Sequence, residues 1–128
     1  MKVFIPAGRG AEPLDPANFT GLGTLVRMVG VCENPAINAY TVSFEPGTRT
    51  AWHTHTGTQL LLVTAGTCRF QEEGEPVQEA TAGSIVSIGP GELHWHGATP
   101  DAPATHVALN IEATTDWFEK VTDGQYGG

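Results

Sequence analysis

Residues Gly47 to Gly66 read GTRTAWHTHTGTQLLLVTAG, and this stretch decides how the chain is expected to fold. A glycine opens it, His53 and His55 flank a threonine, and the apolar run Gln59 to Ala65 (QLLLVTA) leads to a second glycine. Side chains two apart on a strand point to one face, so a His-x-His pair aims both imidazoles into one space. The apolar run has strand length, and Gly66 permits a tight return into Thr67 to Gln71 (TCRFQ). The pattern predicts a hairpin with histidines on its inner face.

Working outward, the pattern returns in HWHG, where His94 and His96 form a second pair. The chain has five histidines, and the fifth, His106, begins the strand-like THVALNI from Thr105 to Ile111. Histidines with only scattered structural roles would not be expected to fall into two such pairs. Thr24 to Val31 (TLVRMVGV) and Ile37 to Glu45 (INAYTVSFE) also read as strands. In the second, Tyr40, Val42 and Phe44 alternate with Thr41, Ser43 and Glu45, which gives an inner and an outer face. Ile85 to Ile88 (IVSI) reads as another buried strand, ended by Gly89-Pro90-Gly91. Sixteen glycines and nine prolines break the chain at short intervals, as many short strands require. The one helical period, Thr115 to Val121 (TDWFEKV), would set Trp117, Phe118 and Val121 over one end of the fold. The predicted class is all-β.

The totals narrow the function. At 128 residues and 40% hydrophobic, the chain suits one domain with an ordinary core. Cys32 and Cys68 show no metal-ligand spacing and read as reduced core thiols. The N-terminus, MKVFIPAGRG, has no apolar stretch of signal-peptide length, and no run approaches a membrane span, so a soluble cytoplasmic protein is expected. Fourteen acidic residues stand against six basic ones, a net charge of −8, with no clustered basic patch, so nucleic acid is not an expected partner.

The spacing resembles a known family. Gly47, His53, His55, Gln59 and Gly66 stand where the first motif of the cupins has its glycines and ligands. Gly83 and Pro90-Gly91-Glu92-Leu93-His94 resemble the second motif. The resemblance implies a single-domain jelly-roll β-barrel over residues 22–128 with a short C-terminal helical segment. Residues 1–21 are left as an ordered N-terminal arm along the barrel. It also implies one divalent metal ion held by His53, His55, Gln59 and His94. Gln59 stands where the family has glutamate, Gly89 where proline is usual, and Ala98 where asparagine is common. Three imidazole nitrogens and one amide oxygen suit Mn, Fe, Ni or Zn. With neutral Gln59 the full +2 charge would stand, favouring bound anions and Lewis-acid chemistry over redox cycling.

Around these positions the sequence sets a pocket. His96 and His106 are candidate general bases, Thr50 supplies a hydroxyl, and Tyr40, Val42 and Asn110 are candidate lining residues. The strings FEPGTRTAWHTH, LLVTAG, PGELHWHGA, THVALN and WFEKVTDGQY are similar to small bacterial cupins that include the manganese-dependent (R)-selective hydroxynitrile lyases. That likeness implies Mn first among the metals, pocket roles for Thr50, His96 and His106, and a small-molecule or anionic substrate. It implies carbon–carbon cleavage with His106 or His96 as base. Those lyases carry glutamine where this chain has Asn110, and a small residue where it has Tyr40. Two other functions fit the same residues: an Fe- or Mn-dependent dioxygenase, and a non-catalytic barrel binding a metal or small ligand. Small cupins usually dimerise, so a homodimer is expected too.

Overall fold

The alternation read in Ile37 to Glu45 is realised in a computed structural model that describes all residues, Met1–Gly128. In chain order the strands are β1 (Glu12–Pro13), β2 (Phe19–Thr20), β3 (Gly23–Glu33), β4 (Ala36–Phe44), β5 (Arg49–Thr50), β6 (His53–His55) and β7 (Thr58–Ala65). There follow β8 (Thr67–Glu72), β9 (Gln78–Thr81), β10 (Ile85–Ile88), β11 (His94–Ala98), β12 (Ala104–Ile111), β13 (Thr115–Trp117) and one short helix, α1 (Asp123–Gly127).

The strands form two sheets. One has six strands in the order β1-β3-β4-β12-β7-β10. The other runs β13-β6-β11-β5-β2, with β8 beside β11 and β9 beside β8. Antiparallel register sets Val42 against His106 and Tyr40 against Ala108, so the inner face of β4 continues across β12. Between the sheets lie Leu14, Val42, Phe44, Val63, Cys68, Ala98 and Ala104, and beside them Leu61, Ile88 and Ala108. Each large apolar side chain taken from water here contributes about 1.5–3 kcal/mol.

Two glycines are needed for this arrangement. Gly66 turns β7 into β8 at φ 69°, a left-handed conformation that disfavours a side chain. Gly97 lies so close to Thr48 that a Cβ would run into its carbonyl oxygen.

The C-terminal segment differs from its sequence reading. Thr115–Trp117 is a strand paired with β6, and the helix begins later, where the Thr122 side chain accepts from Gln125 N and the Gln125 side chain caps Thr122 in return. Pairing with the open edge of β6 outweighs a weak helical period in a stretch containing Thr and Trp, both good strand formers. Val121 and Tyr126 cover Trp95 on the outer side of β11, while Phe118 is exposed. The expected burial of Ile85 to Ile88 is only partly realised: Ile88 is in the core, but β10 is an edge strand and Ile85 is exposed. Both cysteines are free thiols; Cys68 is buried and Cys32 only half-buried. Residues 12–20 run against the barrel, Glu12 and Pro13 pairing with β3 and Phe19 and Thr20 with β5.

Candidate metal centre

Register brings the two His-x-His pairs together. β6 and β11 run side by side with His53 opposite His94, and on the other sheet Gln59 lies opposite Asn110. The His53 and His94 rings are 4.1 Å apart, His53 and His55 5.0 Å, and His55 and His94 5.3 Å. His53, His94 and His96 each offer a ligand atom, and all lie within 4.8 Å of one another. Gln59 Oε1 lies 3.3 Å from His94 Nε2.

The outer nitrogens fix the tautomers. His53 Nδ1 lies 2.8 Å from the Ala51 carbonyl, and His94 Nδ1 2.8 Å from the Glu92 carbonyl. A carbonyl oxygen only accepts, so both rings carry their proton on Nδ1 and present Nε2 as a lone pair. His55 Nδ1 lies 3.0 Å from the Thr115 hydroxyl, and its Nε2 is buried with no partner. Gln59 Nε2 donates to Asn110 Oδ1 at 2.8 Å, which leaves Gln59 Oε1 facing the His94 lone pair. Acceptor faces acceptor in a buried place, an arrangement a cation relieves. Outer-shell acceptors on Nδ1 with free Nε2 lone pairs inside are the pattern metal-binding histidines adopt. The donor set fits a divalent ion.

Burial keeps these imidazoles neutral. It pushes His53 well below its ordinary range, helped by the neighbouring His94, and pushes His94 down to about 4. His55 is lowered by burial, an effect that the nearby Gln59 side chain partly offsets. Desolvation also carries His96 well below the ordinary range and His106 to about 4. Neutral imidazole is the form that binds a metal or accepts a proton.

His96 and His106 form a second unit, joined by His106 Nε2 and His96 Nδ1 at 2.9 Å. Their other nitrogens, His96 Nε2 and His106 Nδ1, are buried without partners. The Phe44 ring stands edge-on to both. Thr50 Oγ1 accepts from the His96 backbone at 3.2 Å and lies 3.5 Å from His53 Nδ1.

The expected residues converge. Tyr40, Val42, Thr50, His53, His55, Gln59, His96, His106 and Asn110 all border one cavity of about 340 Å³, and His94 touches it through Gln59. Several contributors do not figure among the pocket residues expected from the sequence, where Trp117 is read only as covering one end of the fold. Thr115 fixes His55, Trp117 lies 4.7 Å from the His53 ring, and Leu14, Phe19 and Arg27 complete the walls. The Thr-x-Trp alternation in β13 was the signal available for the first two. No helix is long and apolar enough to cross a membrane.

Known proteins share this architecture. Residues 40–110 match the cupin domain model. The chain is 42% identical over 123 residues to an (R)-mandelonitrile lyase of Granulicella tundricola, covering 93% of this chain and 94% of that protein. A crystal structure of a cupin-like protein from Thermotoga maritima superposes with a TM-score of 0.82 at 34% identity, covering 98% of this chain and 95% of that one. The polyketide cyclase RemF of Streptomyces resistomycificus shares the fold alone, with a TM-score of 0.74 at 16% identity over 98% of this chain and 90% of its own. By its motifs, its two facing sheets and these relatives, the chain belongs to the cupin family.

Proposed function

We propose that the chain is a metal-dependent lyase that breaks, or in reverse forms, the carbon–carbon bond of an α-hydroxynitrile. The reading is carried by one observation: lone pairs of buried imidazoles and the Gln59 oxygen converge beside a hydrogen-bonded histidine pair, whose His96 offers a ligand atom within 4.8 Å of those of His53 and His94. His53, His55, Gln59 and His94 would hold the metal, Mn by preference, with Fe, Ni and Zn also compatible with the donors. Such an ion supplies Lewis-acid stabilisation of an anion or a hydroxyl oxygen. The 42% identity to an (R)-mandelonitrile lyase supports the choice of reaction.

The histidine pair accounts for the proton. One proton is shared between His106 Nε2 and His96 Nδ1. Whichever ring donates it, one of the two free nitrogens is a base and the other carries N–H. The base end takes the hydroxyl proton of the substrate. The carbon–cyanide bond then breaks with its electron pair on cyanide, and the oxygen's electrons form the aldehyde carbonyl. The pair returns a proton to cyanide as HCN. No electron is gained or lost, so no oxidant is required. Thr50 holds the His96 backbone, and Phe44 keeps water from the far side of the pair.

Tyr40, Val42, Ala108 and Asn110 shape the space for the aldehyde side chain. A homodimer completes the reading on the strength of the family resemblance alone. The test is cyanide release from mandelonitrile by protein loaded with Mn. Saturable release above that of free Mn is expected, falling by about 10²–10⁴ in His106→Ala or His96→Ala. A rate equal to free Mn removes the lyase reading.

A further inference from the structure

We infer that Asn110 is a positioning residue whose side-chain oxygen holds Gln59 with its own oxygen towards the metal centre. The inference rests on the metal reading of the site. An amide side chain has one acceptor end and one donor end of nearly the same size, and nothing in its shape decides which points inward. Gln59 is held across the β7–β12 pairing, where Asn110 is its direct opposite. The bond runs from Gln59 Nε2 to Asn110 Oδ1 at 2.8 Å, so the donor end is engaged outward and Oε1 points at His94 Nε2.

Only the oxygen end can ligate a cation. Turned over, Gln59 would present N–H groups to the centre, where they would bond the imidazole lone pairs and occupy the place of the ion. Gln59 is buried with 3% exposure, so water offers little competition for its two ends. The outer partner is Asn110, and with its oxygen turned to Gln59 it takes up the donor end of that amide and leaves the oxygen end facing inward. A carboxylate ligand with two equivalent oxygens would need no such selection, whereas glutamine does. The departure at position 59 and the amide at position 110 are thus two halves of one device.

The bond has a second consequence. With its oxygen held by Gln59, Asn110 borders the cavity and has only its amide N–H groups left to offer. It can donate to a substrate oxygen or nitrile nitrogen without releasing Gln59.

Substitution by residues of similar size separates these roles. In Asn110→Asp the carboxylate can only accept, so it keeps Gln59 in the ligating orientation. In Asn110→Leu the acceptor is gone while the branching and the number of side-chain heavy atoms are kept. Mn and Zn affinities are measured by titration calorimetry on metal-stripped protein, with the Tm of the stripped protein recorded for each variant. Asn110→Leu is expected to weaken both metals by about 10- to 100-fold, while Asn110→Asp stays within about 3-fold of the starting protein or binds more tightly. If the unsubstituted protein binds neither metal, the reading of the site as a metal centre falls. If it binds them and Asn110→Leu binds equally well, only the positioning role falls. Equal weakening in both variants also overturns it, since the acceptor would not be the cause. Should Asn110→Leu fail to fold, Asn110→Ser, with a hydroxyl too short to reach Gln59, takes its place with the same expected loss.

Discussion

The molecule buries polar side chains in two places and treats them in opposite ways. Under the C-terminal helix, Arg49 is 5% exposed, and its Nη2 donates to the Val121 carbonyl at 2.8 Å and to Asp123 at 2.9 Å. Its guanidinium stacks 4.6 Å from the Tyr126 ring, Arg69 approaches the same ring at 5.4 Å, and the Tyr126 hydroxyl donates to the Ala98 carbonyl. Inside the barrel, His55, His96 and His106 each keep a buried nitrogen without a partner. Leaving such a group unsatisfied costs about 1–3 kcal/mol. Arg49 leaves Nε unbonded, but its remaining contacts are to the protein and it borders no part of the cavity. The first place uses polarity to clamp the chain end onto the barrel. In the second, stability is given up to hold lone pairs ready.

The largest effect should come from breaking the second place at its centre. His94→Ala removes the ring that touches both His53 and Gln59. Loss of Mn affinity beyond the roughly 100-fold typical of outer-shell partners is expected, together with loss of lyase turnover. The metal-free Tm should move little, because the cavity created is offset by removing a buried lone pair set against the Gln59 oxygen. A His94→Ala protein that retains Mn at the original affinity would show that the centre lies elsewhere in the barrel.

The clamp should give the reverse pattern. Tyr126→Ala deletes the ring shared by Arg49, Arg69 and Trp95. A loss of about 3 kcal/mol is expected, or about 10 °C in Tm, with Mn affinity changed less than about 3-fold. Equilibrium unfolding and metal titration on the same sample check both halves. If Tyr126→Ala weakened Mn as much as it weakened the fold, the two regions would be coupled and the contrast between them would not hold.

The two places were unequally legible in the sequence. The His-x-His pairs declare themselves because a strand's period of two makes every second position share a face, and the same period placed Tyr40 and Val42 inward. The pocket's main histidines therefore followed from local spacing and the family likeness. What stayed hidden depends on register between distant strands. Asn110 meets Gln59 only because β12 pairs with β7 across 51 positions, and Thr115 reaches His55 across 60. No local pattern carries such information. The C-terminal stretch was misread for a related reason: Thr115 to Trp117 takes its conformation from the open edge of β6, a long-range partner, and its own propensities were mixed. Arg49 gave no signal either, since an arginine between two threonines reads as surface until Tyr126 folds over it.

The smallest effect separates the two places by the sign of their pH dependence. His94 and His106 are held near 4 by burial, against an ordinary value of 6.5. Between those values the unfolded chain is protonated at these rings and the folded chain is not, so unfolding takes up protons. Stability therefore falls as pH drops from about 6.5 towards 4, by about 1.4 kcal/mol per pH unit for each such ring, and levels off below. Tyr126 is shifted the other way: burial raises it above its ordinary 10, so the clamp loosens only as pH rises past that value. Thermal unfolding of metal-free protein between pH 7 and pH 5 reads the acid limb. In His106→Gln one of the depressed rings is gone, and the slope should flatten by about 1.4 kcal/mol per unit, whereas Tyr126→Phe should shift the whole curve without changing its slope there. An acid slope unchanged in His106→Gln would mean that the ring is not kept neutral by its burial. Desolvation could then not be what readies its pair with His96 to act as a base at neutral pH.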